Sequence, residues 1–471
     1  MMQFPDFLRS ENSIFGKNLE KNKKFLFHHI PKTAGSTFRG FLNTMFETSE
    51  ICPAETVDEL EKYKQNKDYR LYAGHFSYGA INKFLNNAIW VTFLREPNQR
   101  IISQYYNHIN LDRIPIEWVK RIENRPEWQE YMRSISGCSL REWILLPNKW
   151  ANSLTCNRQV QAFIPQDLRI KINDWSLYDE ELLKIAKQNL KSKFSFLGIQ
   201  EYFDLSFLLF SATFGILPLQ VSNSFTTNIN NKKKFGEKYK ISKDLTDLIN
   251  SRNKMDWELY EFGKNLFLSR VETILSKYLS EKEKNIKIIE IFDNQSDIEK
   301  KKEILTKIQH GIKKDRKQRL NQQFADNKSD LGLNKTNWKI QDVLGLKGFY
   351  RLEKTRFGKG FRWTGSDEIA FIEIKKHLIN GKNYKFKLTI ISSIDDKALN
   401  SIKLKINNIS IKDLEIKKNY FTSNYTVSFD HSLTETSYYH LIEIKSDIFI
   451  EDNLRKDARK IGLAISNIRI S

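Results

Sequence analysis

A lysine, a glycine and several hydroxyl residues lie between an apolar run and a helical pattern near the start of the chain. Phe25, Leu26 and Phe27 form the apolar run, typical of a buried strand, and Pro31 ends it. The loop residues are Pro31, Lys32, Thr33, Ala34, Gly35, Ser36 and Thr37. A loop at a helix N-terminus offers unpaired N–H groups and the positive end of the helix dipole. Together with a lysine and hydroxyls, this loop is suited to hold a phosphate.

The loop does not have the order of a nucleoside-triphosphate loop. That motif, G-x-x-x-x-G-K-[ST], places its lysine after the second glycine. Here Lys32 precedes Gly35, and no magnesium-binding aspartate is obvious downstream. The residues that follow the loop, from Phe38 to Phe46, repeat apolar side chains at helical spacing. The stretch therefore predicts a strand, a phosphate-binding loop and a helix.

A second candidate site follows the apolar run at residues 88–94, AIWVTFL, which is typical of a central parallel strand. Arg95 comes directly after this run, at the strand end where ligands bind in open α/β sheets. Pro97 suits the first turn of the next helix. On that helix Arg100 and Ser103 are three residues apart and share a face. The alternation of strand and helix predicts a parallel α/β sheet.

These two segments carry a resemblance to a known family. The string PKTAGST resembles the 5′-phosphosulfate loop of sulfotransferases that use 3′-phosphoadenosine 5′-phosphosulfate (PAPS), of the carbohydrate type that includes heparan sulfate 2-O-sulfotransferases. The string R-x-P-x-x-R-x-x-S, from Arg95 to Ser103, resembles the 3′-phosphate-binding segment of that family. The resemblance implies a PAPS donor, no metal, and a leaving phosphate stabilised by Lys32. It assigns Pro31–Thr37 to the 5′-phosphate, and Arg95 and Ser103 to the 3′-phosphate. Arg100 is either a phosphate ligand or an outer salt-bridge residue.

His75, in the segment AGHFSYG, is the candidate general base. It matches the histidine of the G-H segment of 2-O-sulfotransferases, whose H-G-H pattern is replaced here by Ala73, Gly74 and His75. The resemblance implies that His75 removes the proton of the acceptor hydroxyl. Other sulfotransferases use a glutamate, so Glu55 and Glu96 stay open as alternatives. His108 is expected on a helix surface.

Composition limits the class of protein. The chain has 471 residues and a net charge of +20, which suits an anionic donor and an anionic glycan, and no nucleic-acid-binding motif is visible. The sequence contains no apolar run of about 18 residues, so it predicts no membrane span. The start of the chain lacks the features of a signal peptide, which predicts a cytoplasmic location. Cys52, Cys138 and Cys156 predict reduced thiols, with no metal-binding spacing.

The chain is predicted to have three parts. Residues 1–277 form a sulfotransferase domain with a P-loop-like parallel sheet flanked by helices; within it, residues 157–163, 194–210 and 253–262 resemble later parts of the family. Residues 278–335 form a charged, solvated, partly helical linker. In residues 336–471 apolar side chains recur with a period of two, which predicts an all-β sandwich. This last part loosely resembles accessory modules of bacterial enzymes of surface-polysaccharide synthesis.

The predicted function is transfer of the sulfuryl group from PAPS to a hydroxyl of a carbohydrate or other glycan acceptor. Two alternatives stay open at this point. One is a glycan-binding protein whose sulfotransferase-like domain is inactive, and the other is a P-loop nucleotide kinase. The order of the loop and the Arg95–Ser103 segment argue against the kinase. Neither the acceptor nor the oligomeric state follows from the residues.

Overall fold

The structure is a computed structural model of the chain. The residues that it describes are 23–43, 45–46, 48–63, 69–85, 87–109, 126–216, 241–280, 288–293, 298–326, 336–340, 345–347, 353–354, 360–364, 369–393, 396–419, 424–446, 450–451 and 460–471. Within these residues, no helix combines the length and the apolar character required to cross a membrane.

A four-stranded sheet forms the centre of the first part, and its strands are parallel, as the sequence predicts. The strands are β1 (Phe25–His28), β2 (Leu71–Gly74), β3 (Ile89–Leu94) and β4 (Phe194–Ile199). Their order is β2-β1-β3-β4, and all pairs are parallel. Every residue of these strands is buried, because helices cover both faces. All four carboxyl ends therefore meet at one edge of the sheet.

Helices surround this sheet. Their bounds are α1 (Gly35–Asn43), α2 (Val57–Tyr63), α3 (Tyr78–Phe84), α4 (Pro97–Ile109), α5 (Pro126–Ile135), α6 (Leu140–Leu145), α7 (Lys149–Thr155), α8 (Arg158–Gln161), α9 (Gln166–Arg169), α10 (Glu180–Lys193), α11 (Phe203–Phe214), α12 (Lys243–Arg252) and α13 (Lys254–Leu275). Single 3₁₀ turns lie at Thr48–Glu50, Gln200–Tyr202 and Ser276–Tyr278. Phenylalanines dominate one side of the sheet, where Phe38 of α1 packs between Phe27 (5.0 Å between ring centroids) and Phe210 of α11 (5.1 Å).

His108 is buried, which corrects the expectation of a surface position. It is only 7% exposed, because α5 and α6 pack over the end of α4. Its ring nitrogens contact the Tyr131 hydroxyl (Nδ1 to Oη 2.9 Å) and the Gln104 amide (Nε2 to Nε2 2.5 Å). Burial lowers the pKa of His108 to about 4, so the ring is neutral at neutral pH.

The last part of the chain is an all-β domain of two antiparallel sheets, in agreement with the prediction. Its strands are β5 (Asn337–Lys339), β6 (Gly345–Lys347), β7 (Glu353–Lys354), β8 (Gly360–Trp363), β9 (Ala370–Leu378), β10 (Asn383–Ser393), β11 (Lys403–Ile406), β12 (Ile409–Ser410), β13 (Glu415–Asn419), β14 (Asn424–Ser432), β15 (Ser437–Lys445), β16 (Ile450–Glu451), β17 (Lys460–Ile461) and β18 (Leu463–Ile470). One sheet has the order β13-β14-β10-β18-β8-β7, with β5 also paired to β18, and the other has the order β12-β11-β15-β9-β6; β16 and β17 pair separately. Alternating apolar residues of both sheets share one core, for example Ile372 of β9 and Leu388 of β10.

Three more helices lie outside the first part: α14 (Ile288–Asp293), α15 (Ile298–Asp326) and α16 (Asp396–Asn400). The sequence predicts a solvated linker around α15, but the structure buries a stripe of this helix. The buried residues recur every four positions: Ile304, Ile308, Ile312, Arg316 and Leu320. The isoleucines join the core of the first part, whereas Leu320 packs against the sandwich. The predicted boundaries at 277/278 and 335/336 stay predictions.

Candidate functional site

The loop between β1 and α1 has an unusual backbone. Lys32 and Ala34 have φ angles of 70° and 69°, in the left-handed region that side chains other than glycine rarely adopt. Alternation of this kind turns successive N–H groups toward one concave face, which suits an anion. The buried Thr33 hydroxyl donates to the Ile30 carbonyl (Oγ1 to O 2.9 Å) and closes the loop. The hydroxyl proton of Thr33 is therefore used in a hydrogen bond within the loop, whereas Ser36 is exposed to solvent.

Lys32 and Arg95, predicted from separate segments, lie together at the carboxyl edge of the sheet. Arg95 NH1 donates to the Lys32 carbonyl (3.0 Å), and Lys32 Nζ donates to Asn107 Oδ1 (3.0 Å). Burial, with Arg95 nearby, lowers the pKa of Lys32 to about 8. The oxygens in these two contacts are neutral. A pair of neighbouring cations at this edge of the sheet fits an anionic ligand.

His75 follows β2 and contacts His29, which precedes the loop between β1 and α1. Its Nδ1 lies 2.8 Å from the His29 carbonyl oxygen, and the two rings are 4.3 Å apart between centroids. A carbonyl only accepts, so Nδ1 carries the proton and Nε2 is the basic nitrogen of the neutral ring. Burial lowers the pKa of His75 to about 4, with the Arg158 charge adding to the effect. His75 is therefore neutral at neutral pH, as a general base must be.

Two glycines allow these histidines to approach the loop. A Cβ on Gly35 would lie 1.6 Å from His29 Nε2, so only glycine leaves room for that ring at the start of α1. A Cβ on Gly74 would lie 2.5 Å from the Glu55 carbonyl oxygen, the atom that accepts the His75 N–H (2.7 Å). The glycine of the G-H segment thus serves close backbone packing.

The remaining predicted residues have different surroundings. Ser103 is half-buried on α4. Arg100 is fully buried and donates to the Leu154 carbonyl (NH2 to O 2.8 Å) at the end of α7, so it supports helix packing. Glu55 forms an ion pair with Arg39 (Oε1 to NH1 2.5 Å), and the backbone N–H of Glu96 donates to Glu201 Oε1 (3.0 Å). Among the described residues no group of acidic, histidine or cysteine side chains could hold a metal ion.

Comparison with known proteins identifies the family of the chain. A sequence model of the sulfotransferase family matches residues 18–263, more than half of the chain. The chain belongs to the sulfotransferase family. It is an enzyme of that class.

Individual relatives are distant. The chain is 24% identical over 291 residues to heparan-sulfate 6-O-sulfotransferase 3-B of Danio rerio (55% of this chain, 67% of that protein). It is 28% identical over 300 residues to heparan-sulfate 6-O-sulfotransferase 2 of Gallus gallus (55% and 70%). A family 35 carbohydrate-binding module from Clostridium thermocellum matches with a TM-score of 0.21 and 9% identity (28% of this chain, 95% of that one), too low to support an argument.

Sequence reasoning missed the residues that hold Arg95 in the sulfotransferase. Gln159 bridges the Arg95 backbone, accepting from its N–H (Oε1 to N 2.9 Å) and donating to its carbonyl (Nε2 to O 2.8 Å). The buried Asp256 carboxylate in turn accepts from the backbone N–H groups of Gln159 (3.0 Å) and Val160 (2.8 Å). Asn157 accepts from the Asp256 N–H (Oδ1 to N 2.9 Å). In the sequence, this network is indicated by the polar residues within the segments 157–163 and 253–262.

Two further arginines, Arg158 and Arg169, add positive charge near the carboxyl edge of the sheet. Within the part of the chain that the structure describes, the hydrogen bonds of Arg158 go to neutral oxygens, Ser153 Oγ (3.4 Å) and Gln161 Oε1 (3.2 Å). Burial lowers the pKa of Arg158 to about 9, and neighbouring Arg169 contributes. Both arginines also help to lower the pKa of buried His28, so they lie close to this edge of the sheet.

Proposed function

We propose that this sulfotransferase moves the sulfuryl group of PAPS to a hydroxyl of a carbohydrate, at the carboxyl ends of β1, β2 and β3. The observation that carries the proposal is the meeting of three separate segments there: Lys32 and Arg95 share a hydrogen bond, and His75 contacts the backbone that leads into the same loop. The carbohydrate acceptor is carried over from the names of the relatives.

The donor is bound by two groups of residues. In the loop Pro31–Thr37, the backbone N–H groups of Lys32, Thr33, Ala34, Gly35, Ser36 and Thr37 and the exposed Ser36 hydroxyl hold the 5′-phosphate, at the positive end of α1. Arg95 and Ser103 hold the 3′-phosphate, and the fixed backbone of Arg95 orients its guanidinium for a forked contact. The network of Gln159 and Asp256 supports this assignment, because a ligand-binding arginine must be held in place.

Proton transfer and charge stabilisation are divided between two side chains. PAPS supplies an activated sulfuryl group and a bisphosphate that leaves. His75 Nε2 accepts the proton of the attacking hydroxyl, and its Nδ1–H bond to His29 orients the ring. Lys32 Nζ neutralises the charge that develops on the phosphate oxygen as the bond to sulfur breaks. Burial, together with the nearby charge of Arg158, lowers the pKa of His75 and keeps it neutral.

The test uses the full chain with labelled PAPS and a panel of neutral and acidic glycans. We expect label on at least one glycan and a higher melting temperature with adenosine 3′,5′-bisphosphate in the absence of magnesium. Stabilisation by ATP with magnesium but not by the bisphosphate would favour the nucleotide kinase. Bisphosphate binding without transfer to any carbohydrate would contradict the acceptor, and would favour the inactive glycan-binding protein if glycans bind.

A further inference from the structure

The sandwich contains a cleft of about 610 Å³ between β14 and the chain that joins β12 to β13. Residues 410–415 form one wall, residues 428–432 form the other, and Lys385 of β10 completes the lining. This volume falls within the range of small-molecule sites. The cleft belongs to a different domain from the phosphate loop.

One wall is an open sheet edge. β13 pairs with β14 only from Asn419↔Asn424 to Glu415↔Ser428, and β14 then continues to Ser432. The N–H and C=O groups of Lys385 bond to Ser471, the residue that follows β18, so Lys385 and Asp430 are a non-hydrogen-bonded pair of the β10–β14 ladder. The backbone groups of Asp430 and Ser432 therefore point away from β10, toward the cleft. No strand pairs with them among the described residues.

The side chains of the cleft leave hydrogen-bonding capacity. His431 is 7% exposed, and its Nε2 has no hydrogen-bond partner in the described part of the chain. A buried polar atom without a partner is rare in folded proteins and indicates a missing ligand or water. Glu415 is engaged by Lys417 (Oε1 to Nζ 2.5 Å) and by the Ser428 hydroxyl (Oε2 to Oγ 3.0 Å). Within the described residues, the carboxylates of Asp413 and Asp430 have no such partners.

The charges of the lining select among ligands. Two lysines, Lys385 and Lys412, face three carboxylates, so the cleft favours neither a polyanion nor a polycation. A ligand that fits must donate to carboxylates and also accept from lysine and backbone N–H groups. Hydroxyl groups do both, and a sugar ring presents several of them side by side.

We propose that this cleft is a binding site for a neutral carbohydrate, separate from the acceptor site of the transfer reaction. Asp413 and Asp430 accept from sugar hydroxyls, Lys412 donates to them, and His431 Nε2 and the open backbone of β14 complete the contacts. An extended peptide fits less well, because the open edge offers the groups of only Asp430 and Ser432.

The experiment is calorimetry on the full chain saturated with adenosine 3′,5′-bisphosphate. The probes are maltohexaose, cellohexaose, laminarihexaose, mannohexaose, a heparin hexasaccharide and an alternating Thr–Val octapeptide. We expect at least one of the neutral sugars to bind. Lys412→Ala and Asp430→Asn should each weaken that binding about 10-fold or more, the scale of a hydrogen bond to a charged group. Lys405→Ala, an exposed lysine of β11 outside the cleft, is the matched control and should bind like the wild type.

Three results would overturn the proposal. They are failure of every neutral sugar to bind, binding only of heparin or the peptide, and sugar binding that is unchanged in Lys412→Ala and Asp430→Asn. His431→Gln tests the buried nitrogen separately. His75→Ala should leave the binding unchanged, so the proposal can fail or succeed independently of sulfuryl transfer.

Discussion

His75 combines three properties that a general base needs: a position at the carboxyl edge of the sheet, a fixed tautomer and a lowered pKa. His75→Ala should leave the affinity for adenosine 3′,5′-bisphosphate nearly unchanged and lower sulfate transfer by about 10²–10⁴-fold, the usual contribution of proton transfer. His310→Ala, an exposed histidine of α15, is the control and should have normal turnover. Normal turnover of the His75 variant would move the search to Glu55 and Glu96.

The pH dependence of the wild type should report both proposed catalytic groups. His75 is a base only when neutral, so kcat/KM should fall as the pH drops through about 4. Lys32 acts only when protonated, so kcat/KM should fall as the pH rises through about 8. Lys32→Arg keeps the charge to higher pH and should move the alkaline limb upward, whereas Lys191→Arg, at an exposed position of α10, should not. An alkaline limb that stays in place would show that another group titrates there.

Helix α1 offers a matched pair of glycines for testing how the loop and His75 are coupled. In Gly35→Ala the new methyl would collide with the His29 ring, which contacts the His75 ring, so both should shift. Displacement of this kind costs about 1–3 kcal/mol in stability and, near reacting groups, about 10²-fold in rate.

Gly40→Ala on the same helix is the control. Among the described residues outside the helix's own backbone, nothing lies within 4 Å of a Cβ added at Gly40. The variant should therefore keep full activity and gain about 0.5–1 kcal/mol from helix propensity. Melting curves and transfer rates of the two variants give the comparison. Equal behaviour of the two would mean that His29 moves away freely.

Helix α15 joins the two domains because of the spacing of its buried residues. At about 100° per residue, a step of four residues rotates each buried side chain by about 40° around the helix. From Ile304 to Leu320 the stripe therefore turns by about 160°, so one end contacts the sulfotransferase core and the other contacts the sandwich. A regular amphipathic helix would have contacted only one of them.

At the scale of the whole molecule, Arg316 connects the two domains. Its Nε and NH2 donate to the two oxygens of Glu373 (2.5 and 2.7 Å), its NH1 donates to the Gly215 carbonyl at the end of α11, and the Tyr439 hydroxyl donates to Glu373. One buried side chain thus ties α15 to both domains. Glu373 stabilises the charged form, so the pKa of Arg316 lies above its usual value.

Arg316→Ala should destabilise the full chain by about 3–5 kcal/mol, because it leaves the Glu373 charge buried and unpaired. Urea denaturation measures the change. Lys314→Ala, an exposed residue of the same helix, should stay within about 0.5 kcal/mol of the wild type. The double variant Arg316→Met with Glu373→Leu should recover much of the loss. A single variant as stable as the wild type would mean that the domains do not depend on this contact.

Local patterns were sufficient to predict the parallel sheet, the loop that follows its first strand and the all-β domain. Apolar runs and periods of 3.6 or two depend on neighbouring residues, so they are visible along the chain. Lys32 and Arg95 were singled out because each follows an apolar run, and His75 because its segment resembles the G-H segment of the family. Parallel strands end at one edge, so the fold places all three residues there. Whether these residues act as assigned is left to the predictions above.

Contacts between distant segments depended on the tertiary structure. Gln159 reaches Arg95 across 64 residues, and Arg316 reaches Glu373 across 57. The sequence shows both as ordinary polar residues, because nothing local marks their burial. The same reason accounts for His108 and for α15: lysines between its isoleucines resemble a solvated surface until two domains pack around the helix and make the winding stripe their common core.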